Sequence, residues 1–236
     1  MADALRQLDD IVGWGVVHDV FDAEEASAVL TLIGRHAAII NEATFGAFFG
    51  SLQRILGRSL LLAVARMYET EKAYALRSLP AAFKHLRTYG HQLKVNDREV
   101  IRLAFLKLGE SISVIAAADD LVVTATLADA FEKRFVVLQS KAGNAVKTLR
   151  DKIIAHHELI DVTTLPTATY AEIDELIEFA KEFIGVIGAA YTNVAYRAGD
   201  GRFFLSLDAE RSTLCLKRLL SAAGVSVSGE GPADEV

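Results

Sequence analysis

From Leu121 to Ile153 one series of residues recurs at spacings of three and four: Leu121, Thr124, Ala128, Phe131, Phe135, Leu138, Ala142, Ala145, Leu149 and Ile153. No proline interrupts it. That period predicts a single long helix over about 119–156, with a seam that antiparallel neighbours or a second copy must cover. The rest of the chain agrees. Only Pro80, Pro166 and Pro232 occur among 236 residues, 52% of which are apolar, so there is core to bury and little to break a helix. No stretch sustains strand-like alternation. The fold class expected is all-α, a bundle of antiparallel core helices with additions at both ends.

Local signals place the other elements. Asp22-Ala-Glu-Glu25 reads as a cap and acidic first turn for a helix towards Ile40. Asn41 reads as the cap of a helix over about 43–68, apolar around most of its circumference and therefore packed by several neighbours. Pro80 opens a helix to about Tyr89, and Asn96-Asp-Arg-Glu99 opens one towards Ala117. After a loop over 157–168, Thr169-Tyr-Ala-Glu172 spells a capping box for a helix running to Val194. Residues 197–202 read as a turn, 203–207 as a short strand or extended arm, and 208–222 as a last helix. These signals divide the chain into an N-terminal helical extension (1–40), a helical bundle (41–196), a C-terminal arm and helix (197–223) and a disordered tail (224–236).

Charge and composition exclude several functions. At a net charge of −6, this is no generic polyanion binder, so any nucleic acid must meet a local site. The lone Cys215 excludes a disulfide framework and a cysteine-built zinc site. His157 and Asp161 are four apart, but no third metal ligand stands near, and the expectation is no metal and no cofactor. The start of the chain lacks the layout of a secretory signal. The apolar stretch 43–67 carries Arg54, Arg58 and Arg66, each costing about 2.5–3.5 kcal/mol in a bilayer, so it reads as a buried helix of a cytoplasmic protein. Phosphate-binding loops, zinc-protease and serine-hydrolase motifs are missing.

One motif carries chemistry. The long helix ends in Leu149-Arg-Asp-Lys-Ile-Ile-Ala-His-His-Glu158, with Arg150 and His156 separated by five residues and Asp151 directly after the arginine. The spacing alone is common; its place after a long seamed helix and before a capped one gives it weight. The segment resembles the signature of the HEPN superfamily, and RDKIIAHH after an apolar helix resembles most its abortive-infection type U branch. The resemblance spans roughly 43–196. It implies a helical bundle pairing as a homodimer with two motifs facing each other. It also implies metal-independent cleavage of RNA in a toxin or phage-defence role, with an antitoxin or nucleotidyltransferase as a further partner. The alternative is a non-catalytic dimer of the same kind, binding RNA or a protein partner.

The residue types suit that chemistry. The 2′-OH of RNA is its own nucleophile once a base takes its proton, and a histidine titrating near 6.5 serves as base or acid. A forked, permanently charged guanidinium suits the charge that builds on the phosphate. The candidate catalytic residues are thus Arg150, His156 and Asp151, with His157 in reserve. On an ideal helix Arg150 and His156 lie about 120° apart, but Arg150 and His157 only about 20°. Asp151 would orient an imidazole or pair with a lysine. Candidate substrate contacts are Arg54, Arg58 and Lys152; the two arginines would otherwise pair with acids of neighbouring helices. The same cluster of Lys147, Arg150, Lys152, His156 and His157 is also what the macrodipole favours at a helix end. Basic residues over 77–102, interleaved with His85, Tyr89 and His91, read as an RNA-facing surface or a solvated helical face. Trp14, between Gly13 and Gly15, reads as a packing anchor rather than a base-stacking platform.

Overall fold

Three helix starts follow directly from side-chain caps. In the computed structural model, which describes residues 2–70, 75–113, 118–155, 166–197 and 203–225, the Asp97 carboxylate accepts from the backbone N–H groups of Glu99 and Val100. Asp119 accepts from Val122, and Thr169 with Glu172 closes a complete capping box. Pro80 occupies the first turn of a fourth helix, after an extended Ser78.

The helices in chain order are α1 (Ala2–Ile11), α2 (Val17–Arg35), α3 (Ala37–Glu42), α4 (Gly46–Met67), α5 (Leu79–Tyr89), α6 (Arg98–Leu108), α7 (Asp120–Leu138), α8 (Asn144–Leu149), α9 (Tyr170–Ile187) and α10 (Phe204–Ala222). π-helical stretches link or extend them at Val12–Val16, Gln139–Gly143, Arg150–Ala155 and Gly188–Thr192. The long helix expected over 119–156 is therefore continuous from Asp120 to Ala155, but twice widened. Among the described residues the one extended pairing is an isolated antiparallel bridge between Arg197 and Phe203. The protein is an all-α bundle.

Several local expectations give way to tertiary contacts. Asp22-Ala-Glu-Glu25 does not start a helix, because α2 already runs from Val17. Its acids instead reach other helices: Asp22 and the buried Asp19 hold Arg66 of α4, Glu24 accepts from Lys181 and Ser206, and Glu25 from Ser212. Asn41 lies inside α3, and α4 starts after Phe45 with no side-chain cap. The helix from Arg98 stops at Leu108, short of Ala117, where Gly109 turns left-handed (φ 73°). There the Glu110 N–H bonds to the Phe105 carbonyl and the Gly109 N–H to that of Leu106, a Schellman ending that only glycine takes without strain. Residues 204–207 are helical, so the short strand or extended arm expected over 203–207 shrinks to the single bridge at Phe203. His156 and His157 lie outside the described residues, as do 157–165 of the loop expected over 157–168, 198–202 of the turn expected over 197–202 and 226–236 of the tail expected over 224–236.

Packing puts α9 in the middle. It touches α2, α4, α6 and α7, while α2 runs along α4 and α10, and α5 lies on α7. The core is an aromatic stack. Phe83 meets Phe135 and Phe183 edge-on, Phe131 meets Phe179 and Phe183, and Tyr68 stacks on Phe135 at 5.2 Å. The Tyr68 hydroxyl donates to the Leu176 carbonyl at 3.0 Å, so the last turn of α4 is pinned to α9. One apolar cluster draws on residues from Ala4 through Phe203. The first half of α4 departs from the buried helix expected. Its C-terminal half is buried through Leu60, Ala63, Val64 and Met67, but Phe48 and Ile55 are each 63% exposed. By length and composition α4 is the one helix among the described residues that could cross a membrane. Its Arg66, however, is tied to Asp19 and Asp22 within the fold.

A buried histidine holds α1 in place. The Nε2 of His85 on α5 lies 2.8 Å from the Ala4 carbonyl, so the neutral ring donates to it. Burial lowers the His85 pKa, outweighing the carbonyl bond that raises it. The unfolded chain therefore binds the proton more readily than the folded one, and stability falls as pH drops below about 6.5 towards the lowered value. Urea midpoints at pH 7.5 and 5.5 are expected to differ more for the wild type than for His85→Gln, which keeps a donor but cannot charge. Equal differences would rule the histidine out as the source.

Candidate functional site

Arg150 follows α8 and opens the π-helical stretch Arg150–Ala155. Such widened turns within α-helices recur at functional sites. Here the widening matters for the motif, because an angular separation reckoned at 100° per residue does not hold across a segment that is no longer α-helical. The ideal-wheel preference for His157 over His156 loses its basis. Both histidines lie outside the described residues.

The guanidinium of Arg150 is held by two carboxylates. Its Nη1 donates to Glu69 Oε2 at 2.8 Å and its Nη2 to Oε1 at 3.4 Å, while Nε donates to Asp151 Oδ1 at 2.7 Å. Its side chain is only 15% exposed. Burial works against its charge, but the hydrogen bonds it donates to Glu69 and Asp151 outweigh it and raise the pKa. The group is thus a fixed cation, aimed by two partners and more than neutralised by them. A phosphate would reach it only by taking over bonds that Glu69 or Asp151 now make. Among the described residues Asp151 pairs with this arginine, while the imidazole it was expected to orient lies outside them.

Glu69 is the residue that reading the motif missed. It follows directly on Tyr68, whose hydroxyl bond to Leu176 anchors the end of α4 beside the long helix. Nothing within one turn of Arg150 announces a partner 81 residues away. Its place just past α4, in line with Ser51, Arg54 and Arg58, was the available hint.

The remaining candidates divide. α4 packs against both α8 and the Arg150–Ala155 stretch, so Arg54 and Arg58 sit on a helix that flanks the motif. Both are exposed. Arg54 donates to Ser51 Oγ at 3.1 Å, and neither arginine makes an ion pair among the described residues, contrary to the acid pairing expected as the alternative. Lys152 is half-buried. The basic stretch over 77–102 is largely compensated instead: Arg77 pairs with Asp10, Arg87 with Asp129 and Glu132, Arg98 with Asp120, and Arg102 with Glu99. Among the described residues no cluster of His, Cys, Asp and Glu could hold a metal ion.

Glu69 also lines a cleft of about 690 Å³ with Trp14, Asp19, Arg66 and Arg77. Trp14 is not the packing anchor expected. It is 69% exposed and stacks on the exposed His18, with ring centroids 5.6 Å apart. Deeper in the wall, burial raises the pKa of Asp19 despite the hydrogen bond and charge of Arg66.

Compared with known proteins, residues 17–203 match the model of a family described as AbiU2, of the HEPN type. The match reaches well outside the stretch 43–196 over which the motif and its helices resemble that superfamily. No curated protein and no solved structure matches the chain significantly.

Proposed function

The chain belongs to the AbiU2 family of HEPN proteins, and from that premise we propose that it is a metal-independent endoribonuclease acting in abortive infection or as a toxin in the cytoplasm. The observation that carries the reading is Arg150. It is a forked cation in a π-helical turn, held by Glu69 and Asp151, six positions before His156 in the RDKIIAHH motif. In the reaction His156 takes the proton of a 2′-OH, the oxygen attacks the adjacent phosphorus, and the 5′-oxygen leaves with a proton from an acid. A second imidazole at the dimer interface would supply that acid. Arg150 stabilises the charge on the non-bridging oxygens, exchanging a carboxylate bond for a phosphate one. Asp151 positions Arg150, and Arg54, Arg58 and Lys152 contact the flanking backbone. Such a scheme needs no metal, because the nucleophile is internal to the substrate.

The test is purified protein incubated with assorted single-stranded RNAs in EDTA. Fragments ending in a 2′,3′-cyclic phosphate and beginning with a 5′-OH are expected, and a 2′-deoxy substitution at the scissile position should block them. A requirement for added divalent metal would overturn the scheme. If no RNA is cut, the second reading takes precedence: a non-catalytic dimer that binds RNA or a protein partner. That reading draws on the two carboxylates that already occupy Arg150.

The dimer is part of the proposal. Phe45, just before α4, and Phe48 and Ile55 in its first half are exposed apolar residues in the same stretch as the arginines at 54 and 58. Covering them with a second copy brings two motifs together and removes apolar surface from water. Light scattering at micromolar concentration should give a dimer, and Phe48→Asp with Ile55→Asp should give a folded monomer. A wild-type monomer would defeat this assembly.

A further inference from the structure

Trp14 is the chain's one tryptophan, and the structure surrounds it with a built site. Its ring projects from the π-helical stretch Val12–Val16. His18 stacks against it at an interplanar angle of 23°, steadying one face, and at 69% exposure the other face is open to solvent. Beside it, Gly15 lets the chain at Arg77 come close. A Cβ at residue 15 would stand 2.2 Å from the Arg77 Cβ and 2.7 Å from its carbonyl oxygen, so any other residue would push this wall away.

The cleft of about 690 Å³ between these walls is within the range of sites for small organic ligands. Its charges do not favour a bare polyanion: Asp10, Asp19 and Glu69 stand against Arg66 and Arg77. Each arginine is tied to a carboxylate yet about half exposed. An aromatic face, carboxylate acceptors and guanidinium donors together complement the π face and mixed donor–acceptor edge of a nucleobase.

We propose that this cleft is a nucleobase subsite, in which an unpaired base of single-stranded RNA stacks on the open face of Trp14. Glu69 links it to the reacting centre, since the same carboxylate lines the cleft and binds Arg150. A nucleotide seated on Trp14 directs its neighbouring phosphate towards Arg150. The ligand class rests on the ribonuclease reading, but the subsite itself does not come from the family match, which begins after Trp14.

Because Trp14 is the sole tryptophan, intrinsic indole fluorescence reports on this cleft alone. The probe is a 12-nucleotide single-stranded RNA, 2′-O-methylated throughout to prevent cleavage, with binding followed independently by anisotropy of a fluorescein-labelled copy. Saturable quenching of Trp14 is expected at the concentrations where anisotropy rises. Trp14→Ala should weaken binding about 5- to 100-fold, as expected for loss of one base–aromatic stack, whereas Trp14→Phe should keep it within a few fold. Circular dichroism checks that both variants fold, as an exposed site allows. Quenching without any RNA cleavage by the wild type would uphold the subsite and sink the nuclease reading. Anisotropy that rises without quenching, or equal affinities for the Ala variant and the wild type, would overturn the subsite and leave the nuclease reading standing. Absence of any binding would overturn the subsite as well.

Discussion

Replacing Arg150 or His156 by alanine is expected to lower RNA cleavage by about 10²–10⁴-fold each, the range for losing a general acid–base or a charge-stabilising group. The double variant should be little worse than the worse single one, because groups acting on one transition state are not additive. The structure changes what must be controlled. Arg150 is no exposed helix-end cation, whose loss would cost at most about 1 kcal/mol. It is 15% exposed and ion-paired to Glu69 and Asp151, so truncation leaves two carboxylates facing each other and costs on the order of 1–3 kcal/mol. Arg150→Lys serves as the companion variant. It keeps the charge, and so the fold, but loses the fork, and its cleavage should still fall by at least tenfold. Wild-type rates in folded Arg150→Ala and His156→Ala proteins would refute the assignment. Activity abolished only by His157→Ala would move the imidazole one residue along.

Lys181→Ala is expected to destabilise the protein by about 3 kcal/mol, the lower end of what removing one partner from a buried ion pair costs. The ammonium of Lys181 lies between α2, α9 and α10 with its side chain 8% exposed. It donates to Glu24 at 3.0 Å and to Glu178, and sits 5.4 Å over the Phe203 ring. Glu24 in turn accepts from Ser206 of α10 at 2.6 Å. Without the lysine, a carboxylate 15% exposed keeps, among the described residues, one hydroxyl partner. The loss should appear in urea unfolding as a lower midpoint at unchanged slope. Lys181→Met combined with Glu24→Leu, which removes both charges, should recover most of it. A cost below about 1 kcal/mol for Lys181→Ala would show that the network contributes specificity of docking and not stability.

The sequence by itself determined what is decided within a few residues. The segments 96–99 and 169–172 announce their helices because in a cap a side-chain oxygen accepts a hydrogen bond from an N–H two or three residues on, a ring closed at little entropic cost. The all-α class and the long helix bearing Arg150 near its end follow from a period that only a helix can bury. Gly109, too, is locally readable in retrospect, since a left-handed helix end favours glycine. What only the tertiary structure decided are the pairings across long separations. Asp22, Glu24 and Glu25 have the composition of a first turn, yet they sit inside α2 because Arg66, Lys181, Ser206 and Ser212 meet them there. Glu69 reaches Arg150 only because Tyr68 pins the end of α4 to α9. The exposure of Phe48, Ile55 and Trp14 was equally invisible, since an apolar residue's pattern tells which helical face it occupies and not whether a neighbour arrives to cover it. Spacing fixes a residue's direction on its own element. Its environment is a sum over contacts far away in the chain, and those exist only once the helices have packed.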